Sequence, residues 1–134
     1  MSTTRLQYAL ASVFFVFGGW CVAAPASVVA LAFRPAYRST EAIVPLIVAC
    51  FGTQALISGL FAATTRFTRW TFLFYAVALI PFFVGDVYFY LVKPVLTEVG
   101  LLDFVGNLVM LALCVFGWRQ ETAPPGEILV KETT

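Results

Sequence analysis

Four apolar runs, each about as long as a bilayer is thick, constrain this chain more than any other feature. They cover residues 6–24, 43–63, 70–92 and 99–118. A helix needs about 20 predominantly apolar residues to cross the hydrocarbon core. The runs lack sustained period-two alternation, and an open sheet cannot satisfy its edge groups in lipid. The sequence therefore predicts an all-α, polytopic membrane four-helix bundle with short loops over residues 1–118, and a flexible C-terminal tail at 119–134.

The scarcity of charge supports this interpretation. Charged residues make up 11% of the chain, whereas a soluble domain carries about a quarter. So few charges cannot cover a soluble globule of this size, and the bilayer is the expected partner. The net charge of +1, with no basic face, argues against a nucleic-acid partner.

The basic residues predict an orientation. With four spans both termini lie on one side, and the chain order assigns five basic residues to it: Arg5, Arg66, Arg69, Arg119 and Lys131. The opposite side has three: Arg34, Arg38 and Lys93. By the positive-inside tendency we expect both termini in the cytoplasm, with the protein in a bacterial inner membrane.

Prolines and threonines mark the expected helix boundaries. Pro25 ends the first span, and residues 26–33 then continue as a short interfacial segment. Thr40 and Thr97, each followed by glutamate, are expected helix N-caps. Pro81 removes a backbone donor inside the third span, so a kink is expected just before it.

Small residues predict where the helices approach one another. The first span contains a Gly18–Gly19 pair, and the second carries a stripe with helical spacing: Gly52, Ala55, Gly59 and Ala63. The fourth has Gly106 and Gly117 beside its polar positions. Small residues let membrane helices pack closely.

Four polar side chains at membrane depth form the candidate site. Asp86 precedes Lys93 by two turns, about 10 Å below the outer interface at 1.5 Å per residue. Asp103 and Asn107 share one face of the fourth span at matching depth, and Gln54 lies near the middle of the second. Arg34, Arg38 and Lys93 are expected at the rim of this cluster.

Two interpretations of the cluster remain open. In one, it is a structural clasp, with Asp86 neutral or paired with an arginine and the amides joining helices at about 1 kcal/mol per bond. In the other, it is a small water-accessible pocket that handles a proton, a cation or a polar head group. An acid inside a membrane is a functional hypothesis by default, but proximity to the interface lowers its cost.

The sequence offers no catalytic centre. Histidine is absent, which removes the usual general base and the His-based haem and metal sites. Cys21, Cys50 and Cys114 are far apart in apolar runs, so we expect buried, unpaired thiols. No catalytic residue, cofactor or metal site is predicted.

The outline resembles the DoxX-like group of small four-helix bacterial membrane proteins. The similar features are the first span followed by a proline-led piece at Pro25, the tight hairpin "TTRFTR" at 64–69, and a last span ending "GWR" at 117–119. Some members of that group look like accessory subunits of membrane oxidoreductases. The resemblance assigns no site residue.

These observations lead to one leading functional hypothesis and two alternatives. The leading one is a non-catalytic accessory or scaffolding subunit, with a membrane-protein partner or a homo-oligomer. The second is a small transporter or ligand-binding membrane protein that uses the Asp/Asn cluster for a small ligand or lipid. A membrane enzyme acting on a lipid or quinone is third, because an aspartate pair can do acid–base work.

Overall fold

The computed structural model describes residues 3–39 and 41–122, without the side chain of Thr122. Within these ranges the chain forms six α-helices: α1 (Thr3–Ala23), α2 (Pro25–Ala32), α3 (Ile43–Thr64), α4 (Arg69–Ala78), α5 (Ile80–Val87) and α6 (Leu102–Thr122). A 3₁₀ turn at Pro35–Tyr37 and a π-helical turn at Tyr88–Val92 complete the described helices. The predicted all-α four-helix bundle is confirmed.

Four helical stretches are long and apolar enough to cross a membrane: Thr3–Ala23, Ile43–Thr64, Arg69–Val92 and Leu102–Glu121. This length and composition indicate an integral membrane protein. The fourth helix continues past the predicted boundary at 118, since α6 ends at Thr122. The remainder of the predicted tail, and the predicted cap Thr40, lie outside the described residues.

The third span is interrupted near its middle. Leu79 separates α4 from α5, and Pro81 is among the first residues of α5. Proline has no N–H to donate, and its ring clashes with the carbonyl four residues earlier, so the chain cannot continue α4 smoothly. The second half of the span then runs through α5 into the π-helical turn, which ends before Lys93.

Glycines allow α1 and α3 to pack backbone against backbone. A Cβ atom on Gly18 would lie 2.8 Å from the Gly52 carbonyl oxygen, and one on Gly52 would lie 2.7 Å from that of Gly18. Gly59 repeats the approach against Phe14. The predicted stripe therefore faces α1, which also packs against α6, and α6 in turn packs against α4.

The end of the bundle that contains the start of α1 and the end of α6 is tightly packed. Phe72 and Cys114 are fully buried there, and a Cβ on Gly117 would collide with the Phe72 ring. Phe67, in the loop before α4, stacks on Tyr75 with ring centroids 5.4 Å apart. The core includes Leu6, Leu10, Ala11, Ala62, Leu79 and Met110. Packing around Phe72 and Cys114 leaves little room for a ligand at this end.

The opposite end is held by its loops. An antiparallel bridge joins Phe33 to Leu96, and the Arg34 N–H donates to the Val95 carbonyl at 2.8 Å. Thr97 accepts from the Gly100 N–H at 3.2 Å, so it caps the turn that leads into α6, and its hydroxyl donates to the Leu31 carbonyl. These contacts dock α2 against the loop between the third and fourth spans.

Candidate functional site

Asn107 joins the two aspartates. Its Nδ2 donates to Asp103 Oδ2 at 3.1 Å, one turn earlier on α6, and to Asp86 Oδ2 at 3.4 Å on α5. The helical spacing of residues 103 and 107 places both side chains on one face, and α5 brings Asp86 to the same depth. The structure thus brings these three predicted site residues together.

Burial makes this arrangement unusual. Asn107 is 3% exposed and Asp86 is 8% exposed, whereas Asp103 is only partly buried. A buried carboxylate requires hydrogen-bond donors, because desolvation without them costs several kcal/mol. The two N–H groups of one amide serve two carboxylates, so Asn107 is the donor at the centre of the cluster.

A cavity of about 210 Å³ lies beside the cluster, enclosed by α1, α3, α4, α5 and α6. Asp103 and Asn107 line it at one end, and Gln54, Ser58 and Tyr75 supply further polar groups. Most of the remaining wall is apolar, with four phenylalanines: Phe14, Phe17, Phe51 and Phe82. Gln54 therefore shares a cavity with Asp103 and Asn107, although it does not hydrogen-bond to them within the described residues.

Asp86 is on the other side of Asn107. It lines a shallow outer groove of about 310 Å³ with Gly85, Phe89 and Leu96. The Phe82 side chain borders both spaces. The predicted site is thus divided: Asp103, Asn107 and Gln54 face the inner cavity, and Asp86 faces the groove.

The predicted rim residues bind the loops instead of the carboxylates. Arg34 Nε donates to the Leu96 carbonyl at 2.9 Å, and its guanidinium lies 5.8 Å from the Tyr90 ring centroid. Arg38 Nε donates to the Phe33 carbonyl at 2.9 Å. Lys93 is exposed. Among the described residues, Asp86 is paired with the Asn107 amide and not with an arginine, which corrects that part of the clasp hypothesis.

The cavity opens between α3 and the third span. Phe51 and Phe82 line the cavity, yet their exposed fractions are 45% and 42%. Gln54 and Ala78 also line the cavity and are exposed. Above the opening the Phe51 and Phe82 ring centroids lie 6.3 Å apart. Below it the Tyr75 hydroxyl donates to the Ser58 carbonyl at 3.4 Å. These residues lie near the middle of their spans, so the opening faces the bilayer interior.

Sequence reasoning missed the aromatic wall. Phe14 and Phe17 share a face of α1 by their spacing, but Phe51 comes from α3 and Tyr75 from α4, and no pattern within one helix places these two beside them. Among the aromatic residues of the third span, Phe82 lines the cavity, while Phe83 packs edge-on against Phe104 with ring centroids 5.3 Å apart. Tyr88 and Phe89 pack against each other at 5.1 Å.

The cysteines are separate from this site. Cys21, Cys50 and Cys114 are unpaired. Cys21 and Cys114 are buried, whereas Cys50 is exposed on α3, so the prediction of burial is wrong for Cys50. Within the described ranges, no three His, Cys, Asp or Glu side chains are grouped to hold a metal ion.

The arrangement is rich in acceptors. An ionised carboxylate can accept hydrogen bonds but cannot donate them, and the Asn107 N–H groups are already engaged. The hydrogen-bonding positions still open at the polar end of the cavity are therefore mainly acceptor oxygens. Such an end suits a ligand that donates hydrogen bonds or carries positive charge. No protein-family model, curated protein or solved structure matches the chain.

Proposed function

We propose that this membrane protein binds a small lipid-soluble molecule in the cavity bordered by Asp103 and Asn107. The observation that carries the proposal is the cavity itself, which is largely apolar and has Asp103 and Asn107 at one end. Its 210 Å³ exceeds the roughly 150 Å³ of an apolar cavity that accepts benzene. Ligand sites commonly combine apolar walls with a few convergent polar groups.

The location of the cavity supports binding over a purely structural clasp. A clasp needs the Asn107 amide and its two carboxylates, and these contacts leave α3 uninvolved. Protein interiors are normally packed with few voids larger than a water molecule. The space beside the clasp, lined by Gln54 and Ser58 from α3, is not needed for the clasp and is large enough for a ligand.

The opening at mid-membrane supports a ligand that arrives through lipid. Phe51, Gln54, Ala78 and Phe82 are exposed at the edge of the cavity, between two helices that contact each other there through side chains. A molecule dissolved in the bilayer reaches this edge without crossing the loops.

The accessory-subunit hypothesis remains the alternative. We further propose a bacterial inner membrane as the location, with both termini cytoplasmic, on the distribution of arginine and lysine. Neither proposal depends on the cavity.

Blocking the cavity tests the proposed function. Ala78→Phe places a ring at the opening, and Val77→Phe adds the same ring to the neighbouring, 52% exposed position that does not line the cavity. Both variants and the wild type are purified gently from native membranes with a C-terminal tag. Native mass spectrometry then identifies retained small molecules and protein partners.

We expect one small molecule to be retained by the wild type and by Val77→Phe, and to be lost from Ala78→Phe. Equal retention by all three proteins would place the molecule outside the cavity and contradict the proposal. A stoichiometric protein partner with an empty cavity would instead support the accessory-subunit hypothesis.

A further inference from the structure

We propose that the ligand of the inner cavity is a small organic amine with an aromatic or other apolar substituent, which moves through lipid as the neutral base and is held in the cavity as the ammonium cation. This inference rests on the proposed function and adds the chemical class of the ligand. It is carried by three features of the cavity wall: its charge, its aromatic rings and the free acceptor of Asn107.

The charge of the wall is one-sided. Asp103 lines the cavity, and no lysine or arginine is among the residues that line it in the described ranges. The two arginines predicted at the rim, Arg34 and Arg38, direct their Nε atoms to loop carbonyls. A carboxylate at membrane depth is stabilised by a positive partner, and an organic cation in the cavity supplies one.

Aromatic rings surround the same space. Phe14, Phe17, Phe51, Tyr75 and Phe82 all line it, contributed by four separate helices. Pairs of these rings are tilted and separated, with Phe14 and Tyr75 centroids 6.1 Å apart and Phe51 and Phe82 centroids 6.3 Å apart. Ring faces carry partial negative charge, and cages of several rings are the usual recognition element for ammonium groups.

Asn107 adds a directional acceptor. Its Nδ2 hydrogens are donated to carboxylate oxygens, so its carbonyl Oδ1 is the atom that can still form a hydrogen bond. No described residue donates to this oxygen. The residue is 97% buried, by its 3% exposure, yet it lines the cavity. This oxygen is open to the cavity, and the N–H of a bound ligand can donate to it. It also disfavours anionic ligands, which would add acceptors to a site already full of them.

Two probe molecules of equal shape, one charged and one neutral, distinguish recognition of a cation from simple filling of the cavity. Benzyltrimethylammonium and neopentylbenzene differ by one N⁺ in place of one carbon. Each probe is added to the detergent-solubilised full-length protein before reconstitution into zwitterionic lipid nanodiscs, so that the permanent cation does not have to cross the bilayer core. Binding is then measured and corrected for partition into protein-free nanodiscs. Neither probe donates a hydrogen bond, so the comparison isolates charge and the aromatic wall.

We expect the wild type to bind the cation at least about tenfold more tightly than the neutral probe, which corresponds to about 1.4 kcal/mol. Asp103→Asn should remove most of that preference while leaving neutral-probe binding unchanged. The control Glu98→Gln removes an exposed carboxylate outside the cavity lining and should preserve it. Phe82→Leu provides a second test of the wall, with weaker cation binding expected.

The outcomes separate the two proposals. Equal binding of the two probes, blocked by Ala78→Phe, would keep the ligand-binding function and overturn the cationic class. Binding of neither probe would overturn the cationic class, and the retention experiment with Ala78→Phe would then decide the ligand-binding function on its own. The wild-type comparison alone decides the ligand class if Asp103→Asn does not fold.

Discussion

Asn107 reaches across the interface between α5 and α6 to the carboxylate of Asp86, with Nδ2 and Oδ2 3.4 Å apart. The same nitrogen holds Asp103 at 3.1 Å, so one amide sets the positions of two acids on two helices. Asp86 is thereby fixed beside the outer groove while Asp103 faces the inner cavity. Phe82 borders both spaces, and the amide connects the carboxylates that line them.

Removing that amide should destabilise the bundle. Asn107→Leu keeps the volume but leaves two carboxylates without their donor, so we expect a loss of about 1–3 kcal/mol in unfolding free energy. Ser12→Ala is the control, because the Ser12 hydroxyl is exposed and bonds to the Ala9 carbonyl of its own helix. Thermal unfolding in a mild detergent, followed by circular dichroism, measures both. Equal melting of Asn107→Leu and wild type would contradict the role given to the amide.

Adjacent glycines on α1 give a matched test of close packing. Gly18→Ala puts a Cβ 2.8 Å from the Gly52 carbonyl oxygen, and backbone cannot yield as a flexible side chain can. We expect a destabilisation of about 1–3 kcal/mol, the usual range for overpacking. Gly19→Ala meets nothing within 4 Å and should leave stability unchanged or slightly raised. Equal melting temperatures of Gly18→Ala and Gly19→Ala would contradict the described contact between α1 and α3.

Periodicity explains how much of this site could be predicted. Residues 103 and 107 are four apart on one helix, so their pairing follows from helical geometry alone. The depth of Asp86 followed from counting residues back from Lys93 at 1.5 Å each. Both inferences need only local regularity and the fixed thickness of the bilayer.

Contacts between distant segments could not be predicted in this way. Gln7 lies at the start of α1, and nothing near it in the sequence indicates its bond to Thr65, 58 residues away. The Phe33–Leu96 bridge likewise depends on how two loops meet. One local feature was also missed, the capping box of α4, in which Thr68 and Thr71 bond reciprocally. It was missed because it has threonine at the third helical position, where glutamate or glutamine is usual. The division of the cluster between cavity and groove depends on which helices pack closely.

The bond from Gln7 to Thr65 should stabilise the junction of α1 with the end of α3. Gln7 Nε2 donates to the Thr65 carbonyl at 2.6 Å, and Gln7 is 8% exposed. Gln7→Leu keeps the apolar contacts of the side chain but loses this bond, so we expect a loss of about 0.5–1.5 kcal/mol. The control Thr53→Val deletes an exposed hydroxyl that bonds to Ala49 within α3. If both variants unfold like the wild type, the long-range bond contributes nothing measurable.

The orientation across the membrane can be tested with reporter fusions. Thr3 Oγ1 donates to Glu121 Oε1 at 2.8 Å, so the start of α1 and the end of α6 lie at the same end of the bundle. Thr97 lies in the loop at the opposite end, bonded to α2. Because more arginine and lysine flank the first end, we expect that end in the cytoplasm.

Alkaline phosphatase, which folds only outside the cytoplasm, should be active when fused after Thr97 and inactive after Gln120. A green fluorescent protein fused at the same two positions is the matched control and should give the reverse pattern. Activity after Gln120 with none after Thr97 would invert the orientation while leaving the fold unchanged.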